Sequence, residues 1–352
     1  MNRLLRAGLM AAAPLLLAAC SGPADDSAPK AASTAMAPVQ AIGAGALRLD
    51  PALDAIIAPA TPIMKVATGY KFLEGPLWHG NELWFSDLAG NTLNALGADG
   101  TARVLMPKSG GIDDAPEGTY RGSNGAIVDQ DGSVLIAQHG ARRLARLDAQ
   151  FAATAVVDSF EGKKLNSPND MAFHPDGSLW FSDPPFGLAK AAADPAIEQP
   201  FKGVYRWADG KLTAVIRDLP LPNGLAFSPD GKVLYVANSG PAMFVQRYDV
   251  GAGGRVSGGR RFADFPQRGA APPPDVPDGL KVDSAGNVWA TGPGGIRIYT
   301  PDGRNIGQIR LPEVAANLTW GGPDLKTVYI TASTSLYSFP TLIAGAKPLY
   351  PK

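Results

Sequence analysis

The chain has 352 residues, with 32 Lys and Arg set against 32 Asp and Glu, so no charge excess calls for nucleic acid or an anionic surface. Its 41 glycines and 32 prolines suit many short strands joined by tight turns. A single cysteine excludes a disulfide within the chain.

The N-terminus, MNRLLRAGLMAAAPLLLAAC, sets Arg3 and Arg6 before an apolar run that ends in Leu17-Ala18-Ala19-Cys20. This is the layout of a secretory signal closed by a lipobox. It resembles bacterial lipoproteins, in which the signal, here residues 1–19, is removed and the cysteine is acylated. An ordinary signal with an incidental cysteine shares the layout; the lipoprotein is favoured because Cys20 is the sole cysteine. Ser21, rather than an acidic residue, follows it, which by the same resemblance points to the outer membrane. The expected location is the bacterial cell envelope, on the periplasmic face, with lipidated Cys20 the only tie to the membrane. Residues 20–60, rich in Ala, Pro and Ser with no sustained period, read as a disordered tether. Residues 61–352 form the folded part.

Within that part six segments repeat: EGPLWHGNELWFSD from Glu74, NGAIVDQDGSVLIAQH from Asn124, NDMAFHPDGSLWFSD from Asn169, NGLAFSPDGKVLYVAN from Asn223, DGLKVDSAGNVWATG from Asp278 and NLTWGGPDLKTVYITA from Asn317. Each opens on Asn, Asp or Glu, runs into a short apolar strand, turns through a motif such as Pro175-Asp176-Gly177, and returns in a strand rich in β-branched and aromatic residues. The starts recur about every 40 to 55 residues, the period of propeller blades built from strands. The expected fold is therefore all-β, a six-bladed β-propeller. The last repeat is one strand short after SLYSFPT, and an orphan strand, Met64–Gly69, precedes the first. The expectation is that this N-terminal strand closes the last blade. Residues 188–201 are an insertion in the third repeat, expected on a rim.

In such a fold the six opening residues Glu74, Asn124, Asn169, Asn223, Asp278 and Asn317 converge on one mouth of the channel. The second strands run back to that mouth and bring a second ring: Asp87, His139, Asp183, Asn238, Gly292 and Ala332. Asn-Gly and Asp-Gly also serve plain turns, and for Asn124 and Asn317 that reading stays open. It does not explain Glu74 in EGP. Two carboxylates among amide oxygens form a hard, all-oxygen set. It suits one divalent cation, calcium first, then magnesium or manganese, with zinc the poorest match. His79 and His174 fall in turns away from the mouth, which leaves His139 as the one histidine to consider for function.

EGP, LNSPND, LPNGLAFSPDG and VPDG together resemble the senescence-marker/gluconolactonase/luciferin-regenerating-enzyme superfamily, over roughly residues 65–340, and most closely its bacterial gluconolactonase-type members. The resemblance implies a six-bladed propeller with one divalent ion in the channel, hydrolysing lactones and related esters. It implies Glu74, Asn223 and Asp278 as metal ligands, with Asn169 contacting metal or substrate. Sugar-lactonase members carry an arginine two residues before that asparagine; here the position is Ser167.

The leading expectation is a lactonase in which water activated by the cation attacks the ring carbonyl. Asp278 serves as ligand and general base, Asn124 and Asn169 orient substrate, His139 or Asp183 handles the leaving alkoxide, and Phe186 walls the mouth. An aryl-ester or phosphotriester hydrolase on the same site is the first alternative. A non-catalytic, lipid-anchored propeller with a structural metal is the second. A Ser-His-Asp hydrolase is disfavoured, since no G-x-S-x-G elbow occurs. The expected partner is a small-molecule lactone or ester, and the expected state a monomer.

Overall fold

The computed structural model describes residues 40–42, 45–266 and 275–350. The signal segment, Cys20 and the first half of the expected tether lie outside them.

Six antiparallel sheets follow one another along the chain as the blades of a β-propeller, each opening at one of the six repeat starts. The inner strands are Leu73–His79, Ser123–Val128, Met171–Phe173, Pro222–Phe227, Leu280–Val282 and Ala315–Gly321. Second strands such as Leu179–Asp183 and Val233–Asn238 are buried along nearly their whole length, because neighbouring blades cover both faces of each sheet. The core accordingly divides by blade interface. Leu135 and Leu144 of the second blade meet Met171 and Phe181 of the third, and Trp180 and Val204 of the third meet Leu225 and Val236 of the fourth. The first and sixth blades meet through Leu73 and Leu83 against Ala67 and Leu336.

The ring closes as the sequence suggests. Met64–Thr68 pairs antiparallel with Ser335–Pro340, so the N-terminal strand completes the sixth blade. The tether expectation needs correction. Ala46–Arg48 adds a fifth strand to the fifth blade, pairing with Gly307–Ile309, and Gln40–Ala41 lies against Met64–Lys65. Between Ala46–Arg48 and Met64–Thr68, Pro51–Ala55 forms a short 3-10 turn whose first free N–H, on Ala52, is capped by the Asp50 carboxylate at 2.8 Å. Leu53, Ile56, Ile57 and Ile63 are buried in the core between the fifth and sixth blades. The physical reason is burial: apolar side chains scattered through an Ala/Pro-rich stretch are enough to dock it once two blade edges offer a groove. The insertion at 188–201 is largely exposed, anchored by Gln199, whose side-chain amide donates to the carbonyls of Phe160, Lys163 and Lys164.

The C-terminal segment crosses the other mouth of the channel. Ala346 N–H donates to Val282 O in the fifth blade, and the Tyr350 hydroxyl donates to Val128 O in the second. The Tyr350 ring packs 5.6 Å from that of Phe173 in the third.

Candidate active site

The six opening residues converge at one mouth because the backbone is irregular where they sit. In the first, second, fourth and sixth blades the ladder between inner and second strands slips at this position, between Glu74 and Leu77, Ser123 and Ala126, Pro222 and Leu225, and Ala315 and Asn317. A bulge re-aims a side chain that a regular strand would point into a blade interface. The glycines that follow let adjacent inner strands approach closely. Gly75 has φ +53, and a Cβ there would lie 2.0 Å from Asn124 O; Gly224 N–H donates to Asp278 O at 3.1 Å, and a Cβ there would lie 2.4 Å from it. Asn-Gly and Asp-Gly in this chain thus serve close packing around the channel.

Five of the six, Glu74, Asn124, Asn169, Asn223 and Asp278, line one small cavity of about 80 Å³, room for an ion and a few waters. Four of them are almost wholly buried, whereas Asp278 keeps partial exposure. Glu74 Oε2 accepts from its neighbour Gly75 N–H at 2.5 Å and from Asn317 Nδ2 at 3.1 Å. Asn223 Nδ2 donates to Ser239 Oγ at 3.0 Å, and Asn124 Nδ2 donates to His139 Nε2 at 3.2 Å. That leaves Glu74 Oε1, Asn124 Oδ1 and Asn223 Oδ1 buried without a hydrogen-bond partner. Buried polar atoms are almost always partnered, so three orphaned oxygens around one cavity mark a place built for a ligand that accepts lone pairs. Burial, with the charge of a neighbouring acid added to it, pushes both carboxyls up: Glu74 to about 7, beside Asp170, and Asp278 well above the ordinary carboxylate range, with Glu74 the main charge acting on it. A cation would relieve both. Among the described residues no three His, Cys, Asp or Glu side chains are grouped so that together they could hold a metal ion; the set available to a metal is two carboxylates with amide oxygens.

Asn317 belongs to the ring but not to the cavity. Its Oδ1 accepts from Leu318 N–H at 2.9 Å and from Lys281 Nζ at 3.3 Å, and its Nδ2 is spent on Glu74. Its place is behind Glu74.

The second ring reaches the expected mouth, but its residues, the expected catalytic His139 and Asp183 included, are not among those that line the cavity. His139 is fully buried: Nδ1 donates to Tyr120 O at 2.9 Å and Nε2 accepts from Asn124. Burial pulls its pKa down to about 4, so the ring is neutral and holds the Asn124 amide. Asp183 is also fully buried; its Oδ2 accepts from Asn166 N–H at 2.8 Å, Oδ1 has no partner, and burial pushes it up to about 7. Asp87 accepts from the N–H groups of Phe72 and Gly90, and Asn238 Oδ1 accepts from Leu221 N–H. Each of the four brackets the backbone two to four residues ahead of its own blade's opening residue. The physical reason is direction: repeat alignment sets the height of a side chain along the channel, while the loop behind it offers unpaired backbone groups that draw it away from the axis. His79 ends the first inner strand, against Trp84, and His174 borders the turn after the third, against Asp176.

The cavity is collared by Phe72, Leu88, Tyr120, Phe186 and Val276. Phe186 is where the sequence suggests. The others come from connecting loops outside the repeat, so no periodic signal marks them; Phe72 and Tyr120 pack with ring centroids 4.8 Å apart. Ser167 donates to Pro184 O at 2.5 Å and accepts from Gly187 N–H at 2.9 Å, which fixes the loop that carries Phe186. Among the described residues no Lys or Arg lines the cavity.

A larger cavity of about 280 Å³ occupies the rest of the channel, between the ring and the C-terminal segment. Its walls are mainly apolar, with the Lys281–Asp170 ion pair at its ring end (2.9 Å), and among the described residues it contains no orphaned carboxylate.

Sequence comparison places these features in a family. A profile described as the SMP-30/Gluconolactonase/LRE-like region matches residues 72–334. A gluconolactonase of Zymomonas mobilis is 34% identical over 313 residues, covering 85% of this chain and 86% of the relative. A pentonolactonase of Haloferax volcanii is 28% identical over 76% of this chain and 84% of its own. Among solved structures, a gluconolactonase from Xanthomonas campestris is 31% identical with a TM-score of 0.76, covering 88% of this chain and 99% of that one. The chain belongs to the SMP-30/gluconolactonase/LRE-like family.

Proposed function

We propose that the chain hydrolyses a lactone at the collared mouth of the propeller, with one divalent cation, calcium first, held by Glu74, Asn169, Asn223 and Asp278. The observation that carries this is the set of buried oxygens without partners, Glu74 Oε1, Asn124 Oδ1 and Asn223 Oδ1, around a cavity that also contains Asp278. Lactonase relatives over most of the chain support the reaction class. When bound, the cation supplies Lewis-acid polarisation of the carbonyl and counter-charge for the oxyanion.

The protein's own groups supply the rest. Asp278 takes a proton from the attacking water as its oxygen bonds to the carbonyl carbon. With His139 and Asp183 turned away from the cavity, the same Asp278 returns that proton to the ring oxygen as the C–O bond breaks. Asn124, locked by His139, and Asn169 orient the substrate. Phe72, Tyr120 and Phe186 exclude bulk water from above. The aromatic collar, together with Ser167 at the arginine position, favours a second reading on the same site: an aryl ester in place of a polyhydroxylated lactone.

Purified protein titrated at constant pH against a panel of sugar lactones, alkyl lactones and aryl esters tests both. Turnover lost to chelator and restored by calcium supports the proposal; no turnover anywhere on the panel by calcium-loaded protein overturns it. Export and lipid anchoring through Cys20 belong to the same proposal, and radiolabelled palmitate on the wild-type chain but not on Cys20→Ala tests them.

A further inference from the structure

We propose that Lys281 is a built-in counter-cation that sets the net charge of the ring to match a divalent ion. The inference rests on the cation site proposed above. Three carboxylates cluster at this level of the channel: Glu74 and Asp278 in the ring, and Asp170, directly after Asn169. One ammonium answers them. Lys281 Nζ lies 2.9 Å from Asp170 Oδ2 and 3.3 Å from Asn317 Oδ1, and Asn317 in turn donates to Glu74 Oε2. The ion pair is well screened from solvent, with Asp170 side-chain exposure of 6% and Lys281 of 26%. Charges held in such a place act on their neighbours at a low effective dielectric. Both Glu74 and Asp278 feel the Asp170 charge, and Glu74 feels Lys281 in the opposite sense.

Once a bound cation has drawn all three acids into the ionised form, the cluster with Lys281 carries two negative charges, the complement of one divalent cation. Without Lys281 it would carry three, which favours a trivalent ion and leaves a bound calcium short of neutralising it. The position also explains why Lys281 does not compete for the site: Asn317 stands between its ammonium and Glu74, so the charge is felt while the coordination oxygens stay free.

The test is a cycle of calcium titrations by calorimetry on the full-length protein. Lys281→Met is expected to bind calcium about tenfold more tightly or better, and to raise the preference for terbium over calcium further. Asp170→Asn, which removes one negative charge, is expected to bind calcium about tenfold more weakly. The double variant is expected to return to within about threefold of wild type, and Lys281→Arg to match wild type. Opposite signs that cancel cannot come from a brace that merely holds the fold, because damage to a brace weakens binding in both single variants. Unchanged or weakened calcium affinity in Lys281→Met, in a protein whose wild type binds calcium, would overturn the role of Lys281 alone. If Lys281→Met does not fold, Lys281→Gln takes its place in the cycle, with the same expected tightening and the same overturning result. Wild-type protein that binds no calcium would overturn the site reading and this inference with it.

Discussion

His139 and Asn124 form a fixed pair: the imidazole Nε2 accepts the amide N–H at 3.2 Å while Nδ1 is committed to Tyr120 O, so only Asn124 Oδ1 is free to face the cavity. Because burial holds the folded pKa of His139 near 4, below the ordinary histidine value, the neutral ring is the one the fold tolerates. Its contribution to stability is full above about pH 6.5 and is lost as pH falls through about 4. His139→Gln should flatten that acid loss. Urea unfolding of both proteins between pH 4 and 8 measures it: the wild type should lose a few kcal/mol more than the variant, at about 1.4 kcal/mol per pH unit. Equal acid sensitivity would mean the ring is not held neutral.

Asp183 carries the opposite sign. Its folded pKa, raised to about 7 by burial, means the fold favours the protonated acid. The wild type is therefore eroded as pH rises from about 4 to about 7, when the buried group must ionise. Asp183→Asn retains an acceptor for Asn166 N–H and removes that cost. It should gain about 1–3 kcal/mol at pH 8, with the gain shrinking toward pH 4, and keep kcat within about threefold. A loss of several hundredfold in kcat with intact stability would return Asp183 to the chemistry.

Leu53 is fully buried between the fifth and sixth blades, in a stretch whose composition reads as a tether. If residues 46–57 are part of the fold, Leu53→Ala should cost about 2–5 kcal/mol. A true tether would show no change. A soluble form of the protein should accordingly begin before Gln40, since removal of residues 1–60 takes away the outer strand of the fifth blade with the Leu53 plug.

What the sequence carried and what it withheld follow from the same physics. The six repeats were legible because every blade solves one problem, an apolar strand pair buried on both faces behind a polar opening residue. That made Glu74, Asn124, Asn169, Asn223 and Asp278 visible together. His139 and Asp183 shared the right height but not the right direction, which depends on unpaired backbone groups at Tyr120 and Asn166 that no repeat alignment displays. Phe72, Tyr120 and Val276 sit on connections of irregular length, and the docking of Leu53 or Tyr350 depends on grooves that exist only after the blades assemble.

Glu74 and Asp278 offer the sharpest separation of binding from chemistry. Glu74 has one oxygen tied to Gly75 and Asn317 and one left bare, so Glu74→Gln puts an amide N–H2 where either a partner or a ligand expects an acceptor. It should lose calcium binding by calorimetry and turnover together. Asp278→Asn keeps an oxygen for the cation but no group that takes up a proton. Its calcium affinity should fall, yet at saturating calcium its kcat should remain about 10²–10⁴-fold below wild type. Asp278→Asn protein that recovers full turnover once calcium is saturating would show that Asp278 is a ligand only, and that the proton leaves the attacking water by another route.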